Sequence, residues 1–293
     1  MSRFSKTYFP VLTSLLLLFS AVPKFASAQP EEASLLWKIE RDDVKPSYVF
    51  GTFHILPQSA FVLHDKVKDA FAESDLLVLE LDIDSPSLQT DIMQHAGMDN
   101  GETLDKLLPN SAYAKINEQL QEVLGVGLQP FNTFKPLLIA SFLTAKFIGE
   151  QPASFEATLA QMALSKGIEV QGIETVAEQM KVFDNISYVD QAADLVEMVE
   201  EEEKVMESFS EMLALYQAED QAALYKMMED YIEDPKQIEQ LIHQRNSNWI
   251  PRIEEKARKN ATFFGVGAGH LGGEKGVLVL LKEAGFKVTA VTG

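Results

Sequence analysis

The stretch that constrains this fold most strongly is the apolar run Leu76-Leu77-Val78-Leu79-Glu80-Leu81-Asp82. Its apolar residues follow one another almost without alternation, which is typical of a strand that is buried on both faces of a sheet. Such a strand requires helices on both sides of the sheet, so the run predicts an α/β fold. Glu80 lies inside the run, where an unpaired charge would be expensive. We therefore expect Glu80 to contact a metal ion, a histidine or an arginine.

Further strands are predicted near both ends of the chain. Residues 35–40 and 47–53 indicate two strands joined by a polar turn, which predicts a hairpin. Residues 168–174 indicate a third core strand, and residues 262–265 and 286–291 indicate the last two strands. The N-terminal and C-terminal parts are thus predicted to be two related half-motifs that complete one mixed central sheet.

The middle of the chain has the apolar spacing of helices. A helical insertion is predicted at about residues 86–166, and long helices are predicted at about residues 175–258. The second region opens with Thr175-Val176-Ala177-Glu178, which has the spacing of a helix capping box. We expect one domain over residues 29–293, with a large helical middle region.

The first 28 residues have the pattern of a secretory signal peptide. Arg3 and Lys6 precede an apolar stretch at residues 11–22, and Ala26-Ser27-Ala28 supplies the small residues of a cleavage site. The apolar stretch is shorter than the ~20 residues that a membrane-spanning helix needs, which argues against an uncleaved anchor. We expect cleavage after Ala28, a periplasmic or secreted protein, and no stable membrane insertion afterwards.

The composition is acidic and contains no cysteine. The chain has 25 lysine and arginine residues against 44 aspartate and glutamate residues, and removal of the three basic residues in the first 28 leaves a net charge near −22. Such a surface repels nucleic acid and anionic lipid, so neither is an expected partner. The absence of cysteine excludes disulfides, thiolate metal sites and a lipid-modified N-terminal cysteine.

Part of the acidic excess lies in residues 197–211, which contain seven glutamates. This segment has two interpretations. It could be a surface that binds a divalent cation or a basic partner, or it could be a helix face exposed to water. Charge runs on helices are usually solvated faces, so we favour the second interpretation.

Two matching motifs place a histidine just after a predicted strand. Gly-x-x-His occurs as Gly51–His54 and again as Gly267–His270, in a chain with only five histidines. Glycine lets the backbone turn sharply and removes a side chain that would cover the histidine. A single histidine at a strand end is more often structural, but the repeated context indicates that this pair forms a site.

The predicted core strands deliver four polar side chains at their ends, namely His54, Glu80, Glu174 and His270. Ligands bind where the ends of parallel strands converge in sheets of this type. Two imidazoles and two carboxylates suit zinc, manganese or iron, and they also suit metal-free acid–base hydrolysis. Glu174 has a second interpretation, because it could simply be an acidic residue in the first turn of the next helix.

Arg245 lies on the last long helix and also has two interpretations. Its guanidinium could reach the site and hold a carboxylate or stabilise an oxyanion. From spacing alone, a surface arginine beside a buried Trp249 is the simpler interpretation. The polar surroundings of His64 and His95 predict that both are exposed to solvent.

Taken together, six motifs in order along almost all of the chain after residue 28 resemble the TraB/GumN family. The motifs are Leu36-Trp37-Lys38, Tyr48-Val49-Phe50-Gly51-Thr52-Phe53-His54, Leu79-Glu80-Leu81-Asp82, Gly172-Ile173-Glu174-Thr175, Arg245-Asn246 with Trp249, and Gly267-Ala268-Gly269-His270-Leu271. That family looks related to Tiki metalloproteases, to erythromycin esterase and to the haem-associated ChaN proteins. The resemblance implies an α/β fold with paired Gly-x-x-His motifs around one pocket.

The resemblance also bears on individual residues. Glu174 and Arg245 match motif positions, which favours a role in the site for both. Many family members have a Gly-apolar-Asp segment at a helix start before the third core strand. Here that region reads Ser154-Phe155-Glu156. Glu156 stands in the place of the aspartate, and its longer side chain puts that role in question.

The leading hypothesis is an exported, metal-dependent hydrolase of a peptide or small ester. His54 and His270 would bind a divalent ion (zinc, manganese, cobalt or iron) together with Glu80 or Glu174. The remaining glutamate would activate water, and Arg245 would stabilise the oxyanion. The alternative is a non-catalytic protein whose histidines bind haem, iron or another ligand. The oligomeric state stays open.

Overall fold

The structure is a computed structural model that describes residues 33–148, 151–232 and 234–292. The predicted signal peptide, residues 1–28, lies outside the described residues. The strands are β1 (Leu36–Glu40), β2 (Ser47–Thr52), β3 (Leu56–Pro57), β4 (Leu76–Leu79), β5 (Pro152–Ala153), β6 (Glu169–Gly172), β7 (Thr262–Gly267) and β8 (Lys287–Ala290).

The helices before β6 are α1 (Asp65–Ala72), α2 (Leu88–His95), α3 (Leu104–Leu107), α4 (Asn110–Leu124), α5 (Pro136–Ile148) and α6 (Phe155–Lys166). Those after it are α7 (Val176–Asp184), α8 (Tyr188–Glu200), α9 (Glu202–Gln217), α10 (Gln221–Tyr231), α11 (Pro235–Ile238), α12 (Gln244–Lys259) and α13 (Val277–Glu283). A π-helical turn, Glu239–His243, joins α11 to α12.

Six strands form one mixed sheet in the order β6-β4-β7-β2-β1-β8. The strands β6, β4, β7 and β2 are parallel to one another, while β1 is antiparallel to both β2 and β8. The predicted α/β class with a mixed central sheet is therefore confirmed. All four residues of β4 are buried, as its uninterrupted apolar sequence indicates, because β4 has a neighbour on each edge and α6 packs against it.

Aromatic side chains join this sheet to the helices that cover it. Phe50 of β2 contacts Phe155 of α6 edge to face, with ring centroids 5.5 Å apart. Phe263 of β7 lies 6.1 Å from Phe50 and 5.6 Å from Phe71 of α1. Aromatic rings bury large apolar areas, so these contacts help to hold α1 and α6 against β2 and β7.

The strand β6 differs from the sequence-based expectation of a core strand over residues 168–174. It covers only Glu169–Gly172 and lies at the edge of the sheet, paired with β4 alone. Only Val170 is buried among its four residues, since the other edge of the strand has no neighbouring strand in the described chain. Ile173 and Glu174 continue beside β4 through backbone hydrogen bonds to the carbonyl oxygens of Leu79 and Glu80.

Two breaks divide the predicted helical regions. Within the insertion predicted at about residues 86–166, α5 begins at Pro136, after a short 3₁₀ turn at Gln129–Phe131. Proline fits the first turn of a helix because its missing N–H needs no partner there. A break at Glu201 separates α8 from α9, although the apolar spacing continues across it. No helix in the described ranges is both long and apolar enough to cross a membrane.

The two Gly-x-x-His motifs lie side by side because β2 and β7 are adjacent and parallel. Thr52 is paired with Gly267, so both strands end at the same edge of the sheet. Gly51 is required by packing, since an added Cβ would lie 2.7 Å from Cδ1 of Leu271 and 3.1 Å from Cα of Ala268. The chain after β7 can therefore fold closely over β2.

Candidate active site

His54 follows β2 and forms a pair with Glu156. Its Nδ1 lies 2.7 Å from Oε1 of Glu156, and its side chain is 54% exposed. Partial removal of the imidazole from water lowers its pKa, but the adjacent Glu156 carboxylate outweighs this effect and, together with Glu80, raises the pKa to about 9. The other ring nitrogen, Nε2, faces the space beside Gly267.

Glu156 reaches His54 because a small second sheet brings its helix to this point. The strands β3 and β5 pair just after His54 and just before Ser154, which caps α6. Glu156 accepts further hydrogen bonds from the hydroxyls of Thr52, at 2.6 Å, and Ser154, at 2.9 Å. Glu156, although longer than the aspartate in whose place it stands, therefore contacts His54 directly.

His270 is buried and has one defined tautomer. Its Nδ1 lies 2.6 Å from Oδ1 of Asn246, whose amide nitrogen donates to two backbone carbonyls. Because the amide oxygen can only accept, Nδ1 of His270 carries the proton and Nε2 presents a lone pair, which accepts from Nη1 of Arg245. Burial and the charge of Arg245 lower the pKa of His270 to about 3, so the ring is neutral. Trp249 packs against it, with ring centroids 4.5 Å apart.

Glu80 follows β4 and is buried. Both of its carboxylate oxygens have partners, as the cost of burying an unpaired charge predicts. Oε1 accepts the Gly267 N–H at 2.8 Å, and Oε2 accepts from Nη2 of Arg245 at 2.5 Å and Nε2 of Gln179 at 3.3 Å. Burial acts to raise its pKa, but Arg245, together with the two histidines and the Gly267 N–H, outweighs this effect and holds the pKa well below the usual range. Glu80 is therefore an ionised carboxylate at the end of the central strand.

Arg245 is buried at the centre of the site, so the interpretation of a surface arginine is wrong. It donates to both glutamates: Nη2 lies 2.5 Å from Oε1 of Glu174 and 2.5 Å from Oε2 of Glu80, and Nε lies 3.2 Å from Oε2 of Glu174. Nη1 donates to Nε2 of His270 at 3.1 Å and to the Leu241 carbonyl oxygen at 3.2 Å. A guanidinium has five N–H groups, and these five contacts use all of them.

Glu174 lies behind Arg245, away from the cavity. Besides Arg245, its carboxylate accepts from Nε1 of Trp249 at 3.2 Å and Nε2 of Gln179 at 3.1 Å. Burial raises the pKa of Glu174 against the opposing effect of Arg245, so this carboxyl takes up a proton more readily than Glu80 does. Glu174 is thus positioned to hold Arg245, while Glu80 borders the space between the histidines.

Three side chains meet in the space left by the missing side chain of Gly267. A Cβ added there would lie 3.2 Å from Oε1 of Glu80, 3.3 Å from Nε2 of His54 and 3.7 Å from Cδ2 of His270. The residues predicted as metal ligands are therefore brought together. However, no group of three or more His, Asp or Glu side chains within the described residues has the spacing of a formed metal site.

The donor set nevertheless fits a divalent ion in its chemistry. Two histidines and one glutamate are a known ligand set for catalytic zinc. Two atoms bound to the same zinc at about 2.1 Å can lie at most about 4.2 Å apart. Oε1 of Glu80 and Nε2 of His270 are 3.8 Å apart, inside this limit. Each histidine also has its Nδ1 held by an oxygen of Glu156 or Asn246, which is the usual arrangement behind metal-binding histidines.

Two cavities open beside His54. One has a volume of about 210 Å³ and extends from His54 and His270 between α5, α9 and α10. The other has a volume of about 240 Å³ and is bordered by Glu80, Glu156 and Gln179. The edge of the sheet where the motifs end is therefore accessible to a small ligand.

Sequence reasoning located part of this arrangement. It named His54, His270, Glu80, Glu174 and Arg245, all of which the structure brings together. It assigned no role to Asn246, although that residue belongs to the motif with Arg245, and it missed Gln179. The contacts of Gln179 with Glu80 cross 99 positions of the chain and leave no local pattern.

The other histidines lie elsewhere. His64 is exposed as predicted, but His95 is half-buried and its Nδ1 lies 2.8 Å from the carbonyl oxygen of Asp91. The prediction that His95 is solvent-exposed is therefore wrong, because the end of α2 partly covers the ring.

Comparisons with known proteins give a family match and several distant relatives. The sequence model described as the TraB/PrgY/gumN family matches residues 35–290. The metalloprotease TIKI2 of Danio rerio is 23% identical over 318 residues, covering 89% of this chain and 61% of that protein. The metalloprotease TIKI homolog of Amphimedon queenslandica is 21% identical, covering 96% of this chain and 66% of that protein.

A shorter and more similar match is the metalloprotease TIKI1 of Homo sapiens, which is 33% identical over 96 residues, covering 32% of this chain and 19% of that protein. This chain thus spans about three fifths or less of the length of these two vertebrate relatives. No solved structure matches.

Proposed function

Because this chain belongs to the TraB/PrgY/gumN family, we propose that it is a metal-dependent hydrolase of peptide or ester bonds, with its reaction centre between His54 and His270. The observation that carries this proposal is the convergence of His54, His270 and Glu80 on the empty space beside Gly267. Relatives named metalloproteases support hydrolysis as the class of reaction.

His54, His270 and Glu80 are the residues that would hold the ion. When bound, a divalent ion supplies a Lewis acid and makes a bound water more acidic. Glu156 keeps a proton on Nδ1 of His54, whose Nε2 faces the shared space. Asn246 keeps a proton on Nδ1 of His270, whose Nε2 accepts from Nη1 of Arg245 and would exchange that hydrogen bond for the ion.

Arg245 and Glu174 support Glu80 from behind. The guanidinium charge keeps Glu80 ionised, and Glu174 fixes the guanidinium through two hydrogen bonds. Their role in this proposal is to position Glu80 and His270, which differs from the oxyanion contact predicted for Arg245. An oxyanion contact would require Arg245 to release one of its five present acceptors.

A haem-binding function is less well supported. The cavity beside His270 has a volume of about 210 Å³, which is below the ~300–1,000 Å³ of pockets for drug-sized ligands. The ring of His270 is also buried, so a haem plane could not approach it without displacing the side chains packed around it.

The substitution Gly267→Ala tests the proposed centre directly. Its methyl group would crowd the space where the three side chains meet, so we expect metal binding to weaken and hydrolysis to fall about tenfold to 100-fold. The backbone at Gly267 has φ −52° and ψ 135°, which alanine adopts without strain, so the protein should still fold. Metal content is measured by mass spectrometry and hydrolysis with peptide and ester libraries.

The matched control is Gly97→Ala, where the nearest atom to an added Cβ is a backbone oxygen at 3.8 Å. This variant should behave like the wild-type protein. The proposal would be contradicted if Gly267→Ala retained both metal and activity, or if the wild-type protein bound no divalent ion and hydrolysed no library.

We also propose that the chain is exported by residues 1–28, whose basic, apolar and small-residue segments support this. The expected mature protein begins at Gln29. Expression of the full chain in a bacterium, followed by fractionation and N-terminal mass analysis, tests the proposal. An intact N-terminus on a protein that stays in the cytoplasm would contradict it.

A further inference from the structure

The 210 Å³ cavity that extends from the two histidines is the feature with the clearest chemical preference. Apolar side chains form much of its wall, contributed by Phe53, Ile55, Met212, Leu224 and Ala268. Its volume exceeds that of a ~150 Å³ protein cavity that holds benzene, so a branched aliphatic or phenyl group has enough space.

The hydroxyl groups in the wall already have acceptors for their protons. Ser141 donates to the carbonyl oxygen of Leu137, and Thr144 donates to that of Ala140, each at 3.1 Å. Tyr216 donates to the carbonyl oxygen of Gly51 at 2.9 Å. These hydroxyls therefore offer no free donor to an anionic or strongly polar ligand.

Apart from the two histidines, the lining of this cavity contains no ionisable residue other than Tyr216, whose pKa is raised well above its ordinary value by burial. The raised pKa makes His54 the cationic group of this lining, but it is already paired with Glu156. A charged ligand group that entered would therefore lose its water without gaining an unpaired opposite charge, which is unfavourable. An apolar group would gain the free energy of burial. The cavity should thus disfavour cationic groups, although the acidic surface of the protein attracts them.

We infer that this cavity is the specificity pocket of the proposed hydrolase, and that it takes an apolar side chain next to the bond that is cleaved. The inference rests on the proposed function for its link to cleavage, because His54 and His270 form the inner wall of the cavity. The substrate class is therefore a peptide with a leucine-like or phenylalanine-like residue at this position.

Binding measurements test the pocket separately from catalysis. The probes are capped tripeptides, acetyl-Gly-X-Gly-amide, in which X is leucine, phenylalanine, aspartate or lysine, titrated into the wild-type protein by NMR or calorimetry. We expect the leucine and phenylalanine peptides to bind at least about tenfold more tightly than the charged ones. Failure of the apolar peptides to bind, or equal affinity for all four, would overturn the inference.

The variant Ser141→Trp locates the preference in this cavity. Ser141 is exposed at the cavity wall, so a tryptophan there can fill the opening without disturbing the core. The matched control is Ser165→Trp on α6, because Ser165 is also exposed and also donates to the carbonyl oxygen four residues earlier. We expect the preference to disappear in Ser141→Trp and to persist in Ser165→Trp. Equal behaviour of the two variants would overturn the inference.

Hydrolysis of the same peptides distinguishes the two proposals. Tight binding of the apolar peptides without any cleavage would contradict the proposed function and leave the pocket assignment intact. Cleavage without a preference for apolar residues would contradict the pocket assignment and leave hydrolysis intact.

Discussion

Replacing Arg245 by methionine should lower the free energy of unfolding by about 3–5 kcal/mol, the usual cost of removing one partner from a buried ionic network. The side chain of Arg245 is 7% exposed and those of Glu80 and Glu174 are 10% and 4% exposed. Without the guanidinium, two carboxylates would remain buried beside each other with no opposite charge. Chemical denaturation followed by tryptophan fluorescence and circular dichroism measures the change.

The matched control is Arg252→Met, two turns further along α12. Arg252 forms a bidentate ion pair with Glu178, at 2.6 and 3.0 Å, but 36% of its side chain is exposed. Solvent screens this pair, so we expect a loss of about 1 kcal/mol or less. Equal losses for the two arginine variants would contradict the importance of the buried network.

The pH dependence of Arg245→Met provides a further check. In this variant burial raises the pKa of both glutamates above the ordinary value of about 4.3. An acid whose pKa is raised on folding destabilises the folded state above the unfolded pKa. The penalty relative to Arg252→Met should therefore be largest at neutral pH and should shrink as the pH falls toward 4. Adding Glu174→Gln should recover part of the loss, because it removes one of the uncompensated charges.

Replacing His54 by alanine should lower kcat/KM by more than about 100-fold. Losing a residue that only supports a metal ligand costs up to about 100-fold, and losing a ligand itself should cost more. His54 contributes one of the three donors at the proposed centre, and its Nε2 is the one that faces the shared space most openly. Glu156→Gln should have a smaller effect, about tenfold to 100-fold, because it acts through the orientation of His54. Peptide hydrolysis and metal content measure both variants.

The control for these variants is His64→Ala, which removes an exposed histidine outside the site and should leave both quantities unchanged.

His270→Ala should resemble His54→Ala in activity. It should also reduce stability, because His270 is buried between Trp249, Asn246 and Arg245. Wild-type activity and metal content in His54→Ala would contradict the proposed function.

Several parts of this fold could be predicted from the sequence because they depend on local patterns. The continuous apolar run ending at Glu80 indicated a strand buried on both faces, and β4 is such a strand. The glycines that precede His54 and His270 indicated strand ends that are open to a ligand. The capping box at Thr175 and Glu178 located the start of α7. In each case a few neighbouring residues determine the backbone conformation or its burial.

Other features depended on contacts between distant parts of the chain. The edge position of β6 follows from strand order, which no local pattern records. The pairing of Glu156 with His54 depends on the short sheet of β3 and β5. Glu80 and Glu174 could not be told apart from their sequence positions, since both follow a strand. Only packing shows that Glu80 faces Gly267 and that Glu174 lies behind Arg245.

The sequence by itself determined the α/β class, the central strand and the candidate site residues, because these follow from local apolar patterns and from the cost of burying unpaired charges. The tertiary structure alone decided which residues contact one another. It places all five N–H groups of Arg245 on acceptors from separate segments and both imidazoles beside Gly267. Burial, hydrogen-bond direction and pKa depend on neighbours in space, and sequence position does not specify those neighbours.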